Sequence, residues 1–371
     1  MKRVVILGCT GSIGSTAIQA IRDLKLQVEV VGLSAHSNEE KLVQLALELS
    51  CKAICLTARH CTPYPGLSVF SGVTGLKEML ASLDADVVLN GIAGFDGLKA
   101  SLLTLEQGFD LALANKESVV CGGSYLFEVA RQHKSRIIPV DSEHSALAEL
   151  IKGRDTNEIG SLILTGSGGP FRTLASDAFG HITVEQALAH PTWKMGKKIS
   201  IDSATLANKA LEVIEASYLF ALPAEKIEVV IHPQSIVHSM IRHRDGAVYA
   251  QMGPPDMTLP IVNALVDGSV SLVRPLDFTN LNLTFEQPDY QRFPLLGLAF
   301  SILERKGGSA LAFNAADEVA VHAFLERRCT YLKMIRAIEK TLERSWQVAP
   351  SSFEETLELD KEARELTRSF L

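Results

Sequence analysis

The sequence contains no long apolar run, no excess of basic residues and no disulfide framework. None of its apolar stretches reaches the ~18 residues that a membrane-spanning helix needs, and the apolar part of the N-terminal MKRVVILG is too short for a signal peptide. The formal net charge is −7, which argues against general nucleic-acid binding because that function needs a basic face. We therefore expect a cytoplasmic protein that binds neither membranes nor nucleic acid.

The 6 cysteines are too few to form a disulfide framework in a chain of 371 residues. Cys51, Cys55 and Cys61 lie close together beside His60, but their spacing matches none of the common paired zinc motifs. Because Cys51 and Cys55 flank an apparent buried strand, KAICL, we expect reduced thiols and not a metal cluster.

The N-terminal part of the chain does contain a regular alternation of short apolar strands and helical stretches. Helices are predicted at Gly14–Arg22 and Asn38–Leu49, among others. This alternation indicates right-handed βαβ units and a Rossmann-like parallel sheet, whose ligands bind at the carboxyl ends of the strands. The predicted strands are Arg3–Leu7, Val28–Ser34, Ala53–Leu56, Asp86–Asn90, Asp110–Leu113 and Arg136–Val140.

The central and C-terminal parts differ from this pattern. SLILTGSGGPF predicts a strand that runs into a glycine-rich turn, and a helix is predicted to begin near Ser203. IEVVIHPQSIVHSMIRHRDGAVYAQM predicts two or three strands with a hairpin at Asp245-Gly246. Helical periodicity follows at residues 294–306, 315–328, 332–346 and 352–370. We therefore predict an α/β protein with a Rossmann-like domain at 1–140, a central α+β domain at 141–285 and a C-terminal helical domain at 286–371.

A glycine-rich loop, ILGCTGSIGS, joins the first predicted strand to the first helix. Gly8, Gly11 and Gly14 allow a tight turn and a close approach to a pyrophosphate, and the helix N-terminus supplies N–H groups. The G-x-x-G-x-x-G spacing differs from the commonest dinucleotide fingerprint, and a turn that binds nothing is the alternative. Its position in a βαβ unit favours dinucleotide binding.

The end of the second strand, LSAHSNEE, bears on which dinucleotide binds. Enzymes that use NAD usually carry an acid there for the ribose 2′-hydroxyl, and no acid occupies Ser34 to Asn38. A 2′-phosphate would therefore be tolerated, which favours NADP. No Arg or Lys stands at these positions to bind that phosphate.

PVDSEH, at Pro139–His144, places Asp141 and Glu143 at the end of a strand. On an extended chain both side chains would point the same way, so their charges would repel unless a proton, a lysine or a divalent metal lay between them. A solvated strand end is the alternative for an isolated D-x-E sequence.

Three further polar clusters favour a site. ANKES brings Lys116 and Glu117 to a strand end, and Ser167 in LTGSGGPF could cradle an anion. In DSATLANKALEVIE, a helix would place Asn208 and Glu212 on one face. Glu212 could then join the D-x-E carboxylates as a third hard oxygen ligand, which suits Mg²⁺ or Mn²⁺. Each cluster alone also fits an ordinary turn, loop or surface ion pair.

Six long motifs resemble the 1-deoxy-D-xylulose 5-phosphate reductoisomerase family: GCTGSIGS, LANKES, PVDSEH, LTGSGGPFR, HPTWKMGKKISIDSATLANKALEVIEA and IHPQSIVHSM. The resemblance extends over nearly the whole chain. It implies the committed step of the non-mevalonate isoprenoid pathway. In that step 1-deoxy-D-xylulose 5-phosphate is rearranged to an aldehyde and reduced with NADPH to 2-C-methyl-D-erythritol 4-phosphate.

The resemblance also implies a role for individual residues. The divalent cation, Mg²⁺ or Mn²⁺, would be held by Asp141, Glu143 and Glu212, which with Lys116 form the catalytic set. The phosphorylated sugar would contact Lys116, Glu143 and Glu212, and also Ser142, Ser167, His190, Trp193, Ser203, Asn208 and Lys209. The cofactor would contact Thr10, Gly11, Ser12, Ile13, Ser37, Asn38, Asn115, Glu117 and Gly196. The first predicted domain would bind NADPH, and the second would carry the metal site, a mobile lid at HPTWKMGKK and the contact of a homodimer.

One departure from the family pattern concerns the cofactor. The family often has Gly-Lys-Asn after the second strand, where this chain has His36-Ser37-Asn38.

Two other functions fit parts of the pattern. Another metal-assisted NADP dehydrogenase would need the same residues without the skeletal rearrangement, and a non-catalytic NADP sensor would need the glycine loop but not the three carboxylates or Lys209.

Overall fold

The computed structural model describes residues 1–193, 195–266 and 276–371, and the chain divides into two compact units. The first unit comprises Met1–Ser118, Leu126–Ser145 and Asp256–Val273. The second comprises Val119–Tyr125, Ala146–Pro255 and Arg274–Leu371. The domain boundaries predicted at residues 140 and 285 stay a prediction.

The first unit contains a 7-stranded parallel sheet, which confirms the predicted α/β class. Its strands are β1 (Lys2–Leu7), β2 (Val28–Ala35), β3 (Ala53–Leu56), β4 (Ser68–Ser71), β5 (Val87–Asn90), β6 (Asp110–Leu113) and β7 (Ile137–Pro139). The order across the sheet is β4-β3-β2-β1-β5-β6-β7. The chain thus leaves β1 in one direction and returns to β5 on the other side, which creates a topological switch point between β1 and β5, the place where ligands of such sheets bind.

The predicted strands of this sheet are confirmed with small shifts at their ends, but β4 was missed. Its sequence, SVFS, is short, and its residues are half-buried or exposed at the edge of the sheet, so it lacks the apolar run that marks the inner strands. Cys51 and Cys55 lie in the core of this unit. Burial raises the pKa of the Cys51 thiol to about 11 and that of Cys55 to about 12, so both stay neutral thiols.

The second unit contains a 4-stranded sheet of order β11-β10-β8-β9. Its strands are β8 (Ile159–Gly166), β9 (Ile227–Ile231), β10 (Val237–His243) and β11 (Val248–Met252), as predicted with the hairpin at Asp245-Gly246. Residues of this sheet, such as Leu162 and Leu164, share one hydrophobic core with Phe313 and Tyr331 of the C-terminal helices. The predicted C-terminal helices therefore pack with the central sheet.

Helices lie before, between and after these strands along the described residues. They are α1 (Ser12–Asp23), α2 (Glu39–Glu48), α3 (Gly72–Ser82), α4 (Asp96–Glu106), α5 (Lys116–His133), α6 (Ser142–Ile151), α7 (Val184–Leu188), α8 (Lys197–Thr205), α9 (Ala207–Leu219), α10 (Thr258–Leu265), α11 (Pro294–Arg305), α12 (Ser309–Leu325), α13 (Tyr331–Glu343) and α14 (Phe353–Phe370). None of the helices in the described part of the chain combines the length and apolarity required to cross a membrane.

The helix predicted to begin near Ser203 is wrong in its start. Ser203 lies inside α8, and a second helix, α9, begins at Ala207. Leu206 separates them with a left-handed backbone, φ 58°. This conformation is uncommon for a residue with a side chain, so the break is imposed by tertiary packing, and nothing in the local sequence indicates it.

Candidate active site

The glycine loop of the first unit turns tightly between β1 and α1. Gly8 adopts φ 74°, which favours glycine, and its carbonyl accepts a hydrogen bond from Gly11 N at 2.9 Å. A Cβ on Gly14 would lie 2.5 Å from the Cys9 Cα, so only glycine permits this close helix–strand packing. The sequence therefore needs these glycines for the geometry of the loop.

The start of α1 can bind an anion. Gly11 is the N-cap, no side chain caps the helix, and no acidic residue occupies its first turn. The first N–H groups and the positive end of the helix dipole therefore face the loop. Thr10, Gly11, Ser12 and Ile13, the predicted cofactor contacts, form this turn, and Ile13 packs against Gly91, directly after β5, at the switch point.

The remaining predicted cofactor residues of the first unit lie at strand ends. Ser37 and Asn38 are exposed just beyond β2, and Asn38 caps α2 by accepting a hydrogen bond from Lys41 N at 3.1 Å. Asn115 caps α5, and its side-chain amide donates to Glu117 Oε2 at 2.8 Å and to the Gly94 carbonyl at 3.0 Å. Asn115 thus fixes the loop that follows β5.

Asp141 lies two residues after the end of β7 and has a lysine as its partner. Lys116 Nζ is 2.7 Å from Asp141 Oδ2, and His144 Nδ1 is 3.5 Å from Asp141 Oδ1. Burial opposes ionisation of the carboxyl, but the charge of Lys116 and the contact with His144 outweigh it and hold the pKa of Asp141 well below its usual range. Asp141 is therefore ionised at neutral pH, and a lysine supplies the balancing charge.

The extended geometry expected for PVDSEH is wrong. The strand ends at Pro139 and α6 begins at Ser142, so Glu143 lies in the first helical turn. Its backbone N–H is 3.4 Å from Asp141 Oδ1, and its side chain accepts a hydrogen bond from the Ser142 hydroxyl. Asp141 and Glu143 are neighbours because of a helix start, whose first turn favours acidic residues.

The buried titratable residues that were not assigned from the sequence include one on α6 and one on α9. His144 is 0% exposed and Glu215, one turn beyond Glu212 on α9, is 1% exposed. A helix prediction at Ser142 would have placed His144 three residues after Asp141 on the same face, and the i, i+3 spacing of Glu212 and Glu215 was visible in the sequence.

The anion cradle predicted around Ser167 lies in the second unit, directly after β8. Ser167 Oγ lies 3.0 Å from His190 Nε2 and accepts a hydrogen bond from Gly169 N at 3.2 Å. A Cβ on Gly169 would lie 2.5 Å from the Ser203 carbonyl oxygen, so the glycine turn packs directly against α8. The predicted substrate residues Ser167, His190 and Ser203 are thereby brought together.

The hydrogen bonds of His190 set the direction in which Ser167 donates. His190 Nδ1 accepts from the backbone N–H groups of Thr192, at 3.2 Å, and Trp193, at 2.9 Å. A nitrogen that accepts carries no hydrogen, so the ring hydrogen is on Nε2 and is donated to Ser167 Oγ. Burial lowers the pKa of His190, which favours this neutral form. The Ser167 hydroxyl hydrogen can then point to an anion.

The first turns of α9 carry the other predicted substrate residues. Asn208 and Lys209 each donate to Glu212, one turn further along the helix, as the predicted shared face requires. Lys209 and Glu212 are buried, with 4% and 1% exposed. The absence of a side chain at Gly166 leaves room for Lys209, whose Cε would lie 3.1 Å from a Cβ there. A lysine therefore balances this carboxylate as well.

The segment predicted as a lid is irregular only in part. Trp193 is half-buried in an irregular stretch, and Gly196 is the N-cap of α8. Lys197 and Lys198 belong to α8, and Lys198 Nζ lies 2.6 Å from both Asp202 Oδ2 and Asp317 Oδ2. Lys198 thus links α8 to α12 through Asp317, and Lys194 lies outside the described residues.

Three family models match the chain. A model described as 1-deoxy-D-xylulose 5-phosphate reductoisomerase matches residues 4–123. Two models of that enzyme's C-terminal domain match residues 137–220 and 252–366. Together these matches include every predicted site residue described above.

Curated relatives and solved structures agree over the full length. The 1-deoxy-D-xylulose 5-phosphate reductoisomerase of Treponema pallidum is 45% identical, and the alignment covers 100% of this chain and 97% of the relative. The enzyme of Chlorobium chlorochromatii is 41% identical, and the alignment covers 100% of each chain. The Zymomonas mobilis enzyme in complex with NADPH superposes with a TM-score of 0.89 at 37% identity, covering 99% of this chain and 98% of that one. A reductoisomerase complex with NADPH, fosmidomycin and magnesium has a TM-score of 0.89 at 33% identity, covering 100% and 98%.

Proposed function

Because the chain belongs to the 1-deoxy-D-xylulose 5-phosphate reductoisomerase family, we propose that it performs this family's reaction with the residues described above. The enzyme rearranges 1-deoxy-D-xylulose 5-phosphate and reduces the product to 2-C-methyl-D-erythritol 4-phosphate for isoprenoid synthesis. The reaction depends on NADPH and a divalent metal. The individual residue roles below are our proposal.

The anion cradle of the second unit is the observation that best supports the substrate assignment. Ser167 accepts two hydrogen bonds and has its own hydrogen to donate, and Gly169 packs against the Ser203 carbonyl. We assign the substrate phosphate to Ser167, Ser203, Asn208 and Lys209, with His190 fixing Ser167. Binding energy from this non-reacting phosphate can position the reacting end of the sugar.

We assign the divalent cation, Mg²⁺ or Mn²⁺, to Asp141, Glu143 and Glu212. The donor chemistry fits because all three offer carboxylate oxygens, which are the ligands these hard cations prefer. Asp141 is ionised at neutral pH, as a metal ligand must be. When bound, the cation polarises a substrate carbonyl and balances the negative charge that develops on oxygen.

Lys116 is the proposed hydrogen-bond donor to the substrate oxygens. It is 6% exposed and lies at the N-terminus of α5, where Asp141 fixes its ammonium group at 2.7 Å. A buried, oriented ammonium stabilises charge that develops on a substrate oxygen without reorganising during the reaction. Ser142 is proposed to contact the carbon backbone of the substrate.

NADPH supplies the hydride, and its proposed contacts lie on the first unit and on α8. The pyrophosphate is assigned to the N-terminus of α1, with Thr10, Gly11, Ser12 and Ile13. Ser37 and Asn38 are assigned to the adenosine ribose, and Asn115, Glu117 and Gly196 to the remainder of the cofactor. The exposed backbone at the start of α1 supports the pyrophosphate assignment.

Trp193 is proposed to cover the bound substrate as part of the mobile lid predicted at HPTWKMGKK, residues 190–198. In a Trp346→Phe background, Trp193 is the sole remaining tryptophan, since the chain has only 2. Addition of a phosphonate substrate analogue with metal and NADPH should change its emission. Trp193→Ala should lower kcat/KM at least about tenfold, because closure excludes water and orients the substrate. An unchanged emission together with normal kinetics in Trp193→Ala would leave Trp193 a structural residue.

A homodimer that pairs through the second sheet is the proposed assembly. β11 forms an edge of this sheet, and it exposes Val248 by 45%, Tyr249 by 42% and Met252 by 36%. An apolar, exposed edge strand is typical of a surface that pairs with another chain.

Val248→Lys should weaken this dimer about tenfold or more, because it places a charge where an apolar side chain would be buried. Val348→Lys is the matched control, since Val348 is 75% exposed elsewhere in the same unit. Light scattering during size-exclusion chromatography gives the molar mass. A wild-type monomer, or a dimer that both variants preserve equally, would rule out pairing through β11.

We also propose a cytoplasmic location and the division into an NADPH domain, a catalytic domain and a C-terminal helical domain. The location is supported by the free thiols of all 6 cysteines, five of which are buried. The domain roles are supported by the position of the glycine loop in the first unit and of the anion cradle in the second.

A further inference from the structure

The loop after β3 brings an arginine to the place where the sequence lacks a cation. Thr57 N donates to the Ala35 carbonyl and Ala58 N to the His36 carbonyl, both at 2.9 Å. These bonds hold the residues after β3 alongside those after β2, because adjacent parallel strands end at the same edge of a sheet. Arg59 is the next residue in this loop, and it is distant in sequence from Ser37.

Arg59 is held by a carboxylate that is itself fixed. Glu39, in the first turn of α2, accepts a hydrogen bond from Thr62 N on Oε1 at 2.8 Å. Its other oxygen, Oε2, pairs with the Arg59 guanidinium at 2.8 Å. The Glu39 side chain is 17% exposed and that of Arg59 is 57% exposed. The guanidinium is therefore oriented on one side and open to solvent on the other.

The electrostatics at the end of β2 need such a cation. Ser37 is neutral. Glu39, two residues further along the chain, would by itself repel a phosphate bound beside Ser37. An arginine can satisfy both groups, because its planar guanidinium has five N–H donors and binds carboxylates and phosphates in a forked geometry. An exposed ion pair contributes little by itself, so sharing Arg59 with a phosphate costs little stability.

We propose that Arg59 selects NADPH over NADH by binding the 2′-phosphate of the cofactor, with Glu39 positioning its guanidinium. The inference rests on the proposed placement of the adenosine ribose beside Ser37 and Asn38. Arg59 then takes the role that a lysine after the second strand has in many relatives. The residue that determines cofactor choice comes from the third strand instead of the second.

The test compares Arg59→Met with Lys52→Met. Lys52 is exposed and lies immediately before β3, whereas Arg59 lies after it. Lys52→Met therefore removes one cation at the other end of the strand, away from the proposed cofactor site. Arg59→Met should lower kcat/KM for NADPH about tenfold or more, the usual effect of losing a charge-assisted hydrogen bond. The value for NADH, which lacks the phosphate, should change less than about twofold in both variants.

Competitive inhibitors provide a second readout, because the ligands that are compared are not themselves turned over. The inhibition constant of 2′,5′-ADP should rise in Arg59→Met in the same proportion as the NADPH effect, and that of 5′-AMP should not. The double variant Ser37→Lys/Arg59→Met should recover most of the NADPH preference, because it restores a cation at the same phosphate.

Three results would overturn the inference. Equal losses with NADPH and NADH in Arg59→Met would show a structural effect of the loop, and an unchanged preference would show that the 2′-phosphate is bound elsewhere. If Arg59→Met behaves as proposed but Ser37→Lys/Arg59→Met recovers nothing, the ribose does not lie beside Ser37, and the placement on which the inference rests fails separately from the NADPH dependence of the enzyme.

Discussion

Replacement of Asp141 by asparagine is expected to lower kcat more than ~100-fold, beyond the 10–100-fold typical of residues that act only through a metal ligand. The substitution removes one proposed ligand of the cation. It also leaves the ammonium of Lys116, 6% exposed, without its anionic partner at 2.7 Å. Both effects weaken the stabilisation of charge on the substrate oxygen.

The control for this variant is Asp110→Asn at the opposite end of the sheet. Asp110 is the first residue of β6 and pairs with the exposed Arg136, so its loss removes a carboxylate far from the strand ends that carry the site. It should retain nearly full activity, since exposed ion pairs contribute ~0–1 kcal/mol. Turnover near the wild-type level in Asp141→Asn, or in wild-type enzyme with a chelator present, would contradict the metal assignment.

Lys198→Met is expected to lower the free energy of unfolding by about 3 kcal/mol, the lower end of the range for removing one partner of a buried ion pair. Lys198 Nζ lies 2.6 Å from Asp202 and from Asp317, whose side chains are 4% and 0% exposed. Lys198→Met therefore takes away the cation that lies between these two buried carboxylates. Chemical denaturation followed by circular dichroism measures the loss.

The same variant should raise the KM for substrate, because Lys198 anchors the helix that carries Ser203. Arg364→Met is the matched control. Arg364 pairs with Glu318, at 2.5 Å, and Asp360, at 2.6 Å, so it too joins two carboxylates, one of them on α12 and the other on α14. We expect comparable destabilisation in both variants but a raised KM only in Lys198→Met. If KM rises equally in both, Lys198 has no specific role in placing α8.

The sheet of the first unit was predictable because its signals are local. Inner strands such as Val87–Asn90 are short apolar runs, and most of them are followed by a helix, as is typical of a parallel sheet. The glycine loop after β1 was also predictable, because its glycines follow the strand directly in sequence. The structure explains one of them, since the space around Gly14 excludes any other residue. Edge strand β4 lacked the apolar signal and was missed.

The partners of the charged residues could not be predicted in the same way. Lys116 and Asp141 lie at the ends of neighbouring strands, and the sequence allowed a proton, a lysine or a metal to balance the carboxylate. Only the fold shows that the lysine does so. Arg59 and Glu39 meet for the same reason, because β2 and β3 are adjacent in the sheet. Such contacts depend on tertiary structure and leave no periodic pattern in the sequence.

The central claim is tested most directly by identifying the product formed from 1-deoxy-D-xylulose 5-phosphate with NADPH and Mg²⁺. NMR spectroscopy of the reaction, with NADPH oxidation followed in parallel, distinguishes a branched carbon skeleton from a linear one. The account predicts 2-C-methyl-D-erythritol 4-phosphate, one molecule for each NADPH oxidised. Oxidation of NADPH that yields only an unrearranged, reduced sugar phosphate would contradict it and would favour a simple metal-assisted dehydrogenase.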